Sequence, residues 1–240
     1  MKEQSEIQTL GCIHDGMKTS SDIIKSLVQL NEDIAELKFH SFNKYDAIQD
    51  RLEMDDTLED LVEKALQLRA QYKLPFWDAF NACTFDTAFS KYHFLKHVRF
   101  HNTINQTFII RRTEVSQFLD ALPEDKYLVI NSNITMTNGH RKHLPLLDFH
   151  IPVGKENEDL CKAILVELGL KGFLLNSGKS YHFYGKELVD HEQMQTILHF
   201  ALLFSPIVDK SWIAHQLIEG SCNLRVTKKY SRLPCLVMEV

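Results

Sequence analysis

No run of eighteen or more apolar residues occurs in this 240-residue chain, so a bilayer-spanning helix is not expected. The opening residues, MKEQSEIQTLGCIHDG, lack the basic end and apolar stretch of a secretory signal. The expectation is a cytoplasmic protein with no membrane partner. Cysteine is sparse and never in C-x-x-C spacing: Cys12, Cys83, Cys161, Cys222 and Cys235 lie far apart. That disfavours a zinc knuckle, a thioredoxin-like motif or a disulfide framework and suits small buried hydrophobes. Internal repeats and low-complexity segments are missing too. There is no basic excess, with 27 Lys+Arg against 32 Asp+Glu and a net charge of −5. This argues against tight nonspecific DNA binding while leaving room for a local basic groove.

What is present is enough apolar material, 44% of the residues, to bury a sizeable core. Charge is unevenly spread. Residues 1–70 hold 8 Lys+Arg against 15 Asp+Glu, whereas residues 171–240 hold 8 against 6, so the amino-terminal third suits a basic protein partner. In SSDIIKSLVQLNEDIAEL, apolar residues at Ile23, Ile24, Leu27, Leu30, Ile34 and Leu37 follow helical spacing, with Ser20 or Ser21 as cap. A second amphipathic helix is predicted in DTLEDLVEKALQLRAQY, and a further helix or two from Pro75 to about residue 98. From Thr107 the period changes. TFIIRR, KYLVINSNITMT, LPLLDFHI and GFLLNSGKSYHFYG read as strands, separated by helical stretches in TEVSQFLDAL, NEDLCKAILVELGL and DHEQMQTILHFALLFS. The result is an α+β or α/β core preceded by a mostly helical extension over 1–104, with the core over 105–240.

Three polar sites interrupt the hydrophobic frame. Asp148 and His150 lie two apart on a largely apolar strand and therefore on one face. They could hold a divalent ion or form a buried Asp–His hydrogen bond. In LLNSGKSYHFYG, Gly178 would allow close approach of a phosphate, with Lys179 and His182 as its contacts. The alternative is an ordinary hairpin with an exposed lysine, and the upstream glycine of a P-loop is missing. Third, Asp209 precedes a predicted helix bearing Trp212 and His215, and Arg225 stands in the following apolar strand. Asp209 could be a helix cap, and Arg225 could fork onto a phosphate or an internal carboxylate.

Taken in order, LLDFH at 146–150, SGKSYH at 177–182, VDKSW at 208–212 and HQLIEGSCNLRVT at 215–227 resemble the archaeo-eukaryotic primase superfamily, the primase-polymerases, and in particular the bacterial primase 1D-like relatives. The family pattern is an acidic pair on a strand, a strand with a Ser-x-x-x-x-His signature, a third acid before a helix, and an arginine-bearing segment. The resemblance implies an RRM-like primase-polymerase catalytic core that handles a nucleoside triphosphate and a DNA or RNA template. It implies Mg2+ or Mn2+ on Asp148, His150 and Asp209, and catalytic roles for Asp148, Asp209 and His182. Ser177, Gly178, Lys179, His182 and Arg225 would bind the nucleotide. Two-metal nucleotidyl transfer needs ions about 3.5–4 Å apart held by bridging carboxylates. The chain departs from the family at His150, which stands where the second acid belongs, and Glu219 is a candidate for the missing oxygen. Two other readings stay open. One is an inactive relative that serves as a nucleic-acid or protein interaction module through its acidic amino-terminal helices. The other is a metal-dependent hydrolase using Asp148, His150, His182 and Asp209.

Overall fold

The computed structural model describes residues 16–43, 56–83, 106–122, 126–229 and 232–240. The expected boundary near residue 104, Cys12 and the aromatic stretch beyond Cys83 lie outside the described residues.

The first helix, α1 (Ser20–Leu30), is capped by Thr19 rather than Ser20 or Ser21. The Thr19 hydroxyl accepts from the Asp22 amide while the Asp22 carboxylate accepts from the Thr19 amide, a reciprocal capping box. Helical spacing predicts continuation to Leu37, but the chain turns at Asn31 and runs on as strand β1 (Ile34–Asn43). The reason lies in the strand itself. Its pairing with the strand 126–136 slips between Ile34 and Glu36 and again between Leu37 and Lys38. An irregularity of this kind shifts side-chain alternation by one, so Ile34 and Leu37 both face the core three residues apart and imitate a helix.

Helices α2 (Asp56–Tyr72) and α3 (Phe76–Cys83) pack against each other through Leu61, Val62, Ala65, Phe76, Ala79 and Phe80. After them come β2 (Gln106–Arg111), a single 3-10 turn, α4 (Val115–Asp120), β3 (Lys126–Met136), β4 (Arg141–His143) and β5 (Leu146–Asp148). Helix α5 (Lys155–Glu167) leads to the hairpin β6 (Gly172–Asn176) and β7 (Tyr181–Gly185). Then follow α6 (His191–Ala201), α7 (Lys210–Glu219), β8 (Asn223–Arg225) and β9 (Cys235–Glu239). The architecture is α+β.

Among the described residues all strand pairs are antiparallel and form two sheets. The larger has the order β2-β1-β3-β4 with β8 also on β3, and the smaller has the order β5-β7-β6-β9. Strand β1, from the amino-terminal side, is therefore central to the larger sheet. β6 and β7 are buried along nearly their whole length, and Gly172 permits this crowding, because a Cβ there would lie 2.2 Å from the Tyr184 carbonyl oxygen. One continuous apolar cluster joins α1, both sheets and α5, α6 and α7. At about 25 cal/mol per Å² of apolar surface removed from water, such a cluster supplies the main drive for folding.

The sheets meet where β4 passes through Leu144 and Pro145 into β5. Tyr184 of β7 donates to the Arg225 carbonyl of β8 across the junction, and Ser20 of α1 donates to the Val226 carbonyl just beyond. No described helix is long and apolar enough to cross a membrane.

Candidate nucleotide and metal site

β5 is short and fully apolar until its last residue: Leu146 and Leu147 are completely buried and Asp148 emerges at the sheet junction. Antiparallel register sets Asp148 opposite His182 of β7, with His182 Nε2 3.7 Å from Asp148 Oδ1. On the other side, the chain beyond β5 runs antiparallel to the residues before α7. Phe149 bridges Val208, and the Asp209 amide donates to the Asp148 carbonyl at 2.9 Å. The fold thus brings together the two acids expected to converge.

Asp209 has two uses. Its Oδ1 accepts from the Trp212 amide at 2.9 Å and caps α7, while Oδ2 lies 3.5 Å from His150 Nδ1. The cap and the site are one residue's two oxygens. His150 follows just beyond the end of β5, with 63% of its side-chain surface exposed and Asp209 as its carboxylate neighbour. Helix α7 is further fixed by Asp78 of α3, which accepts from the Ser211 hydroxyl at 2.7 Å and pairs with Lys210 at 3.0 Å.

The electrostatics of Asp148 are unusual. Burial, with the Asp209 charge adding to it, pushes its carboxyl up to about 8, against the pull of Arg225 and Lys229. About a quarter of its side-chain surface remains open to solvent. Burial, reinforced by Arg225 and Lys229, holds His182 well below the ordinary histidine range, so its ring is neutral. Its Nδ1 is buried without a hydrogen bond of ordinary geometry, although the nearby Arg225 carbonyl acts weakly in the opposite sense.

The β6–β7 loop is built as a rigid tip. The Ser177 amide donates to the Ser180 carbonyl, the Gly178 amide to Asn176 Oδ1, and the Ser180 hydroxyl to the Phe149 carbonyl. Gly178 has φ +112°, a left-handed conformation that favours glycine. A Cβ there would meet Arg232 Cδ at 2.9 Å. Arg232 Nη1 donates to the Gly178 carbonyl at 2.6 Å. Lys179 stands exposed at the tip.

Arg225 departs from the expected phosphate fork or carboxylate pair. Nη2 donates to the Ser177 carbonyl at 2.7 Å, and Nη1 to the carbonyls of Thr227 at 2.5 Å and Arg232 at 3.4 Å. The guanidinium therefore holds the loop tip against the 227–232 segment while its charge acts on Asp148. Lys229, absent from the sequence reading, is a second cation, after Arg225, that acts on both Asp148 and His182. Its signal was the KK pair following the β8 arginine. Glu219 does not join the site. It ends α7, about 15 Å along the helix from Asp209, and accepts from Asn223 Nδ2 at 3.1 Å.

Two carboxylates on adjoining backbone, one of them strained by the other's charge, suit a hard divalent ion that keeps most of its water and is completed by substrate phosphates. They do not make a closed protein cage. Among the described residues no group of three or more His, Cys, Asp or Glu side chains is arranged to hold a metal.

An α+β chain with antiparallel sheets is consistent with a primase-like domain. Residues 110–237, over half the chain, match the family model for archaeo-eukaryotic primase 1D-like proteins (AEP-like), and the chain belongs to that family. The family generally uses divalent metals. Comparison with characterised proteins and with solved structures found no match.

Proposed function

We propose that the chain binds a nucleoside triphosphate through a divalent ion at Asp148 and Asp209, as a primase-polymerase-like nucleotidyltransferase acting on DNA or RNA. The observation that carries this reading is the backbone contact that fixes Asp209 against Asp148 inside a rim of cations. Mg2+ or Mn2+ would supply charge neutralisation for phosphoryl chemistry. His150 would add an imidazole that favours manganese over magnesium. Lys179 and the backbone of Ser177 and Gly178 would meet the phosphates. Neutral His182 would orient Asp148 or donate one N–H. Arg225 would shape the loop and bias the field. An RRM-type catalytic sheet belongs to this reading through the family membership. The 105–240 core would be completed by α1 and β1 of the amino-terminal extension.

One observation favours a second reading. With His150 in place of an acid, the chain would be an inactive relative that binds a nucleic acid, or a protein through the acidic residues before 70.

The test is titration of Mn2+ with a labelled nucleoside triphosphate. Binding should be lost in Asp148→Ala and Lys179→Ala, and primer extension should be lost in Asp209→Ala. Binding without extension or de novo synthesis supports the inactive relative, and binding indifferent to both substitutions refutes the site.

A further inference from the structure

On the far side of β4 a second polar chain runs from the core to the surface. The Cys222 amide donates to Ser132 Oγ at 2.9 Å, Ser132 Oγ lies 3.0 Å from His143 Nδ1, and His143 Nε2 lies 3.2 Å from His191 Nδ1. The two rings face each other with centroids 5.2 Å apart. Ser132 and His143 are buried, and His191, first residue of α6, is exposed. Paired backbone bonds between His143 and Val189 flank the contact. Ser132 is also tied to Cys222 through its amide at 2.7 Å.

We propose that His143 and His191 form a proton-operated latch that holds the first turn of α6 to β4 near neutral pH and opens on acidification. A nitrogen-to-nitrogen contact at this distance needs one donor and one acceptor. In the neutral pair, Ser132 donates to His143 Nδ1 and His143 Nε2–H donates to His191 Nδ1. With one proton added to the pair, one ring still donates and the other still accepts, so the contact survives. A second proton leaves N–H facing N–H between two cations, and the contact breaks.

Charged groups adjoin the pair from α6 and from the α7 side. On α6 they are Asp190, whose Oδ1 already caps the helix through the Gln193 amide, and His191 itself. From the α7 side, Glu219 acts on the neighbouring Cys222 thiol. β3 contributes only the Ser132 hydroxyl. His143 is held below the ordinary histidine value by burial and then by His191, with Asp190 opposing. A histidine depressed in the folded state contributes stability that is complete above its unfolded value and lost as the pH falls below it. The latch therefore opens below about pH 6.5.

The test is amide hydrogen exchange at His143 and Val189 in the full chain, corrected for intrinsic rates, at about pH 7.5 and pH 5. Protection at these amides should fall about tenfold or more at the lower pH relative to the β7 amides, and the exposed substitution His191→Gln should reduce that difference. Imidazole nitrogen NMR should show the two rings titrating in linked steps. Unchanged protection in the wild type, an unchanged pH effect in His191→Gln, or independent titration of the rings would each overturn the latch.

Discussion

Replacing Asp148 by Asn should change how stability depends on pH. The folded carboxyl sits at about 8, against about 3.9 in an unfolded chain. Between these values the folded state holds a proton that the unfolded state has released, so stability falls as the pH rises through the window. From about pH 6.5 to about pH 8.5 the loss should be about 2 kcal/mol, at about 1.4 kcal/mol per unit until the folded group itself ionises. This range lies above the histidine latch, so the two effects separate. Asp148→Asn removes the titration and keeps the side-chain shape, and its stability should be flat across the range. Urea unfolding of both proteins at three pH values gives the answer. Parallel curves for the two proteins would show that Asp148 is an ordinary solvated carboxylate and that the account of its burial is wrong.

Mn2+ in low-millimolar amounts should raise the melting temperature of the wild type at about pH 8, because a bound cation binds the folded state alone, and leave Asp148→Asn unmoved. A shift in Asp148→Asn as large as in the wild type would place the ion elsewhere. Arg225→Lys, which cannot reach three carbonyls at once, should cost about 2 kcal/mol in urea unfolding and speed hydrogen exchange at Ser177. Gly178→Ala forces φ +112° on a side chain that collides with Arg232 and should cost about 1–3 kcal/mol, read as a lower melting temperature.

Much of the site could be read from the residues, because polar groups in apolar strands need partners wherever the chain folds. Asp148 and Asp209 do adjoin, and the Gly178 loop does lie beside them. What the residues could not reveal was the division of labour. Asp209 caps α7 with one oxygen and turns the other toward His150, since a carboxylate has two. Arg225 turned inward to carbonyls, an outcome no spacing rule distinguishes from a phosphate fork. Lys229 acts through space on residues far away in sequence. In the fold, the β-branched and aromatic runs after Thr107 formed strands, whereas β1 was hidden by a pairing slip between Ile34 and Glu36 that gives a strand the three-residue recurrence of a helix. Strand β9 went unread, although CLVME is an apolar run of ordinary strand length.

The place of β1 has a practical consequence for anyone trimming the chain. The family segment begins at residue 110, yet its longest strand, β3, has the Ile34–Asn43 strand along one whole side. A fragment starting at the family boundary would leave a row of orphaned amides and carbonyls beside a hole shaped for Phe39, an invitation to self-association. Minimal versions of this protein should start ahead of Thr19.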